Sequence, residues 1–290
     1  MTYLDLSSTD IAARIQANLI AYMRLFADLP GVTVQDSPDL FWIISGSGAP
    51  GNGIFLSRWP EEQAEQRIDM LFDKVGQQID SIDWMRFPGD RPVDLGNRLE
   101  ARGMPATRGG NWLWMDLDAL GPAPAWPVDL RIEQVRDDRQ LREWVDISEA
   151  GFGSALPLFY VAYARHGYGA EASSLHYTGY INGAAVATAT LLEAGGTAAI
   201  YDLSVPPVWR RRGASSALTY ALLQEIQRRG YCETWIWSSN MAVPVYRKLG
   251  FVDADFGIRE HGWRREQEDA VRCSESGRRI ALLKEKAVSL

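Results

Sequence analysis

The sequence predicts a mixed α/β protein whose C-terminal half is an antiparallel meander followed by a crossover, preceded by a second α/β half. Three observations predict it. Asn182-Gly183 joins two apolar runs, Leu175–Ile181 and Ala184–Leu192, and this dipeptide suits the positive φ angles of a two-residue hairpin turn. Ser215 to Arg229 places Leu218, Leu222 and Ile226 on one helical face, and Gly230 stops the helix. Gly121 to Val128, GPAPAWPV, breaks the pattern with three prolines and a glycine, so the predicted domains are 1–124 and 125–290.

The N-terminal half opens with an apolar helical period, Ile11, Ile15, Leu19, Met23 and Phe26, within 10–29. Strands at 40–45 and 53–57 flank a glycine-rich turn, and Pro60 opens a helix running to about Gly76. A strand at 81–87, a helix at 93–102 stopped by Gly103 and a strand at 112–117 complete this half. Beyond the boundary come a strand at 130–135, an acidic-ended helix at 137–150 and a second helix at 156–165. The hairpin leads to a strand at 198–205, the helix at 215–229, and a strand at 232–238. A short helix at 243–249 and a single strand at 251–262 follow, and the tail from Arg264 is charged.

Bulk composition narrows the function. Of 290 residues, 46% are hydrophobic and 23% charged, so a packed core is feasible. The net charge of −7 argues against a general nucleic-acid or membrane-surface binder. Cys232 and Cys273 form no CxxC pair, and His166, His176 and His261 lack metal-ligand spacing, so no metal is expected. The N-terminus lacks a basic segment followed by an apolar one, and no apolar run approaches a membrane span. The expected setting is cytoplasmic, as a monomer or homodimer. Against the acidic background, Arg210-Arg211-Arg212 stands beside small residues just before a helical pattern, which is the context of an anion site.

The segment Val205 to Leu218, VPPVWRRRGASSAL, resembles the phosphate loop of the GNAT superfamily of acyl-CoA-dependent N-acetyltransferases. That family's signature is Arg or Gln, two residues, Gly, one residue, then Gly or Ala, between a strand and a helix. Here it reads Arg210-Arg211-Arg212-Gly213-Ala214-Ser215, with Ser215 where Gly or Ala is usual. Unpaired N–H groups and the dipole at a helix start favour a diphosphate, glycine permits close approach, and arginines add forked donors. A second match follows at the family's distance: Val245-Tyr246-Arg247-Lys248-Leu249-Gly250-Phe251 resembles its closing helix, a tyrosine before Leu-Gly-Phe.

The resemblance implies a GNAT fold in the C-terminal half and direct transfer from acetyl-CoA, the co-substrate, to a small-molecule or peptide amine. It implies coenzyme contacts at Leu203, Val205, Arg210, Arg211, Arg212, Gly213, Ala214, Ser215, Ser216 and Asn240. Tyr246 takes the place of the acid that protonates the departing thiolate. Many members carry a Glu base on the strand before the loop; here Asp202 is that strand's only carboxylate. Strand alternation would turn Tyr201 and Asp202 to opposite faces. His176, Glu193 and water are the other proton acceptors, and a non-catalytic acyl-CoA sensor is the alternative function.

The N-terminal half repeats the order strand, helix, strand, helix, strand. Trp84 to Pro88 stands in the place of Trp235 to Ser239, and Leu95 to Met104 parallels Pro244 to Phe251, with Leu99 at the tyrosine position. The equivalent of the arginine loop, Leu56 to Glu62, has no RxxGxG and puts carboxylates at the helix start, where they compete with an anion. A worn GNAT-like copy, as in tandem members, and an unrelated α/β extension would both give this order.

Overall fold

A computed structural model of the chain describes residues 3–8, 10–46, 49–169, 172 and 174–265. Cys273 and nearly all of the charged tail lie outside them. The N-terminal part comprises β1 (Leu4–Asp5), α1 (Ile11–Arg24), β2 (Thr33–Ser37), β3 (Leu40–Ile44), β4 (Gly53–Ser57), α2 (Ala64–Gly76), β5 (Ser81–Arg86), α3 (Leu95–Ala101), β6 (Ala106–Thr107) and β7 (Asn111–Asp116). There follow β8 (Leu130–Gln134), α4 (Asp138–Phe152), α5 (Phe159–His166), β9 (Ser174–Ile181), β10 (Ala184–Ala194) and β11 (Thr197–Ser204). The chain continues through α6 (Ala214–Arg228), β12 (Glu233–Ser238), α7 (Val243–Lys248), β13 (Val252–Asp255) and β14 (Arg259–Arg264).

Local chemistry accounts for the main boundaries. Asp137 caps α4 by accepting from the Gln140 N–H at 2.8 Å, and Gly153 ends it at φ 73°. Asn182 and Gly183 both have positive φ, as the tight β9–β10 hairpin requires. α6 buries Leu218, Leu222, Leu223 and Ile226 against the sheet, and a side chain of that kind contributes about 1.5–3 kcal/mol when fully buried. No helix among the described residues is long and apolar enough to cross a membrane.

The strands form two sheets. One has eight strands in the order β1-β13-β7-β12-β11-β10-β9-β8, and the other has six, β2-β3-β4-β5-β14-β6. The compact units are accordingly interleaved in sequence rather than divided at 124/125: one takes the described residues within 3–34, 43–51 and 110–257, the other those within 35–42, 52–109 and 258–265. The cause is an exchange of strands. β7, from the N-terminal part, lies antiparallel to β12 in the eight-stranded sheet. β14, from the C-terminal part, lies antiparallel to β5 in the six-stranded sheet. Each sheet also has a parallel crossover pair, β11 with β12 and β4 with β5. The two sheets therefore repeat one plan, and each is completed by a strand from the other end of the chain.

The single strand expected at 251–262 is two strands, β13 and β14, in different sheets. Gly257 has φ 70° and donates its N–H to Asp255 Oδ1 at 2.9 Å, and this turn lifts the chain off the first sheet. β2 was not expected, because TVQDS has no apolar alternation and is only partly buried.

Candidate functional site

The site lies where β11 and β12 separate. These parallel strands are in register at Ala199 and Trp235, and no further pairing between them follows toward Ser204 and Ser238. β11 is also irregular on its other side. Thr190 pairs with Tyr201, but Thr188 pairs with Ser204, so Asp202 and Leu203 together face the single residue Ala189. This is a β-bulge, with Asp202 at φ 52°. Neither neighbouring strand has a register partner for Asp202 or Leu203.

The bulge overturns the alternation expected from sequence. Tyr201 and Asp202 both turn toward α1, the extra residue having absorbed the half-turn between them. Tyr201 donates to Asn18 Oδ1 at 2.7 Å and stacks on Tyr22 at 4.2 Å. The Asp202 carboxylate accepts from Tyr22 of α1 at 2.7 Å and from Tyr163 of α5 at 2.6 Å. Leu203 turns to the opposite side and packs against the α6 core. A non-glycine residue in the left-handed region costs about 1–3 kcal/mol, and hydrogen bonds to a charged group, each worth roughly 1.5–3 kcal/mol, offset it. Burial raises the Asp202 pKa, and the tyrosine hydrogen bonds oppose that shift.

The other proton acceptors are placed differently. His176 is buried with Nδ1 2.9 Å from Thr190 Oγ1, and burial pulls its pKa down to about 3, so it is neutral near pH 7. Glu193 sits at the far end of β10, paired with Ala198, and is ion-paired to Arg229.

At the open end of the cleft, Gly213 (φ 85°) is the N-cap of α6 and supplies no capping side chain. The first-turn N–H groups of Ala214, Ser215 and Ser216 have no intrahelical acceptor, which suits an anion. Arg210 is committed to the loop itself: Nε donates to Val205 O at 3.0 Å and Nη2 to Gly151 O at 2.8 Å. Arg211 and Arg212 are exposed, with the Arg212 guanidinium 4.8 Å from the Trp209 ring centre. Arg210→Ala is therefore expected to lower both thermal stability and the affinity of this helix start for inorganic pyrophosphate, used as a diphosphate probe. Arg211→Ala should lower affinity alone, by about tenfold or less, and by less again in high salt. Calorimetric titration at two salt concentrations beside thermal melts checks this; a matching loss of stability in both variants would refute the division of labour.

Tyr246 lies in α7, 5% exposed, edge-on to Phe251 at 5.6 Å, in the core cluster against which Leu203 and Val205 pack. Burial alone raises its pKa, so the hydroxyl keeps its proton at neutral pH. Asp202 thus belongs to the α1/α5 side of the sheet and Tyr246 to the α6/α7 side. Asn240, at the end of β12, is exposed and its Oδ1 accepts from Asn111 Nδ2 at 2.8 Å.

Sequence reasoning missed Tyr22, Asn18 and Gly151. The first two lie some 180 residues from their partners, and no local pattern marks them. Gly151 lies inside α4, where an ideal Cβ would come 1.9 Å from Ser204 Oγ and 2.9 Å from Val205 N, so only a hydrogen permits the approach. In the other unit, the helix start equivalent to the arginine loop carries Glu61 and Glu65, held by Arg98 at 3.7 and 2.6 Å.

Residues 160–265 match the family model described as an acetyltransferase (GNAT) domain. A GCN5-related N-acetyltransferase from Kribbella flavida superposes with TM-score 0.62 at 16% identity, covering 89% of this chain and 96% of that one. A tandem GNAT protein from the clavulanic acid biosynthesis pathway gives 0.57 at 13% identity, with 89% and 95% covered. A GCN5-related N-acetyltransferase from Sphaerobacter thermophilus gives 0.55 at 16% identity, with 88% and 90% covered. At these identities the likeness is one of fold, and it extends over both units. No curated protein matches the chain.

Proposed function

We propose that the protein, whose residues 160–265 match the acetyltransferase (GNAT) domain model, moves an acetyl group from acetyl-CoA to a primary amine by direct transfer. The observation that carries the reading is the bulged, splayed edge of β11, which ends at an uncapped helix start. The diphosphate rests on the α6 N-terminus, and the pantetheine arm pairs with β11 in the cleft. The Asp202–Leu203 backbone polarises the thioester carbonyl, as oxyanion donors do. The amine nitrogen attacks the carbonyl carbon and the C–S bond breaks. Tyr246 protonates the leaving thiolate, and the ammonium proton passes to Asp202 directly or through a hydroxyl bonded to it.

The test combines binding and turnover. Acetyl-CoA should raise the melting temperature, since it binds the folded state alone, and one or more amines should release free CoA. Stabilisation without CoA release for any acceptor would favour a sensor of acyl-CoA. The two tyrosine bonds that already occupy Asp202 are the feature that supports that second reading.

Asp202→Asn tests the base. The folded chain holds this proton more tightly than the unfolded one, because its pKa is raised. Ionisation therefore costs stability, and the contribution of Asp202 falls as pH rises above the ordinary carboxylate range. The variant should gain on wild type in urea-unfolding stability as pH rises from about 4 to 7. It should also lose the acidic limb of the pH–rate profile; an unshifted profile would leave Asp202 a strut between α1, α5 and the bulge.

A further inference from the structure

His176 is a buried titratable group that the transfer chemistry leaves unused. It lies in β9, 2% exposed, with the rings of Trp144 (α4) and Tyr163 (α5) centred 5.3 and 4.0 Å away. Its partner across the β9–β10 pair is Thr190. Thr190 in turn pairs across β10–β11 with Tyr201, the residue before Asp202. Directly paired residues share a face, so one row of side chains runs from His176 through Thr190 to the bulge.

The row is hydrogen-bonded. His176 Nε2 lies 3.3 Å from Ser174 Oγ, and Nδ1 lies 2.9 Å from Thr190 Oγ1. The Thr190 hydroxyl also bonds the Asp202 carboxylate, beside Tyr22 at 2.7 Å and Tyr163 at 2.6 Å. The chemistry of the groups fixes the direction of each bond. An ionised carboxylate only accepts, so Thr190 gives it the single hydroxyl proton. Thr190 Oγ1 is then the acceptor toward His176, which places the imidazole proton on Nδ1. Nε2 is left to accept from the Ser174 hydroxyl. Burial keeps His176 neutral, and His166 of α5 acts in the same direction. The other titratable groups acting on Asp202 are Tyr22, Tyr163 and Tyr201, all held in their protonated form by burial.

On the reading of Asp202 as the base of the transfer, on which this rests, we propose that His176 is a positioning residue for that carboxylate. As the Nδ1–H tautomer it turns the Thr190 hydroxyl toward Asp202, and its ring supports that of Tyr163, a second donor to the same group. Thr190 has one proton, and an imidazole with a bare Nδ1 would compete for it; the Nδ1–H closes that option. Three oriented donors then favour the ionised form of a carboxylate that burial would otherwise neutralise.

The test is carbon-13 NMR titration of the Asp202 carboxyl group in the full chain, assigned with Asp202→Asn. Thr190→Val keeps the branched shape and removes the donor, and should raise the carboxyl pKa by about one unit. His176→Leu should raise it as well, whereas His176→Asn should leave it within about 0.3 unit, because the amide nitrogen donates from near the Nδ1 position. Leu and Asn are nearly equal in size, so the same carboxyl pKa in both variants would overturn the proposal. Nitrogen-15 NMR of the wild type reads the tautomer without relying on any variant's folding. A protonated Nδ1 and a bare Nε2 are expected from about pH 6 to 8, and a protonated Nε2 would overturn the proposal. With an amine that turns over, the acidic limb of the kcat profile should move with the carboxyl pKa, and the KM for acetyl-CoA should not. A carboxyl pKa that shifts while the acidic limb stays fixed counts against Asp202 as the base. If no amine is acetylated, the transferase reading fails, and the two NMR measurements still decide whether His176 sets the Asp202 carboxylate.

Discussion

Tyr246→Phe is expected to lower kcat by about 100-fold or more while leaving the affinity for acetyl-CoA nearly unchanged. The ring is buried in the α6/α7 core and edge-on to Phe251, so phenylalanine keeps the packing and deletes only the hydroxyl. The hydroxyl holds its proton firmly in the free protein, because burial raises its pKa. A thiolate leaving in the cleft would be the group that draws that proton away. Loss confined to kcat is the mark of an interaction made only in the transition state. Single-turnover release of CoA separates this step from binding; unchanged turnover in Tyr246→Phe would remove the assignment.

Gly151→Ala should have the opposite effect to the one helix propensity suggests. Within an exposed helix, alanine for glycine stabilises by about 1 kcal/mol. Here the added Cβ would lie 1.9 Å from Ser204 Oγ, which is itself held 3.1 Å from Ser148 O, and 2.9 Å from the Val205 backbone nitrogen. The hydroxyl can rotate, but the backbone nitrogen cannot, so α4 and the end of β11 must separate. Overpacking of this kind costs about 1–3 kcal/mol. The same movement pulls the Gly151 carbonyl from Arg210, which ties the phosphate loop down. A fall of about 5 °C in melting temperature, with about tenfold weaker acetyl-CoA binding, is the expected result. Adding Ser204→Gly should restore part of the stability, because the two positions are in contact and their effects are coupled. A variant as stable as wild type would show that the helix and strand approach each other less closely.

The strand-to-helix loop at 205–218 and the short helix that carries Tyr246 were legible because their physics is local. A glycine with positive φ, a proline-bounded turn and an apolar helical period all fall within a few residues of one another, from Pro206 to Leu218. The hairpin at Asn182-Gly183 was legible for the same reason. The acceptor side was not. Asp202 was visible only as a lone carboxylate, whereas its direction depends on a bulge that neither its own strand nor its neighbours announce. Its partners Tyr22 and Tyr163 come from helices distant in the chain, each of which reads alone as an ordinary amphipathic element.

Sequence by itself determined that this chain is mixed α/β, that residues 205–218 run from a strand into a helix through a glycine-bearing loop, and that Tyr246 follows one strand later. These are properties of short segments, set by backbone preference and side-chain periodicity. Tertiary structure decided which strands complete which sheet. β7 lies between β13 and β12 of the C-terminal part and β14 between β5 and β6 of the N-terminal part, so the compact units do not divide at 124/125. It also decided where Asp202 points. One extra residue between paired strands turns it toward α1 and α5, and only the assembled sheet registers that extra residue. The loop from Val205 to Gly213 is thus held at its base by the Gly151 carbonyl, a position that only packing reveals.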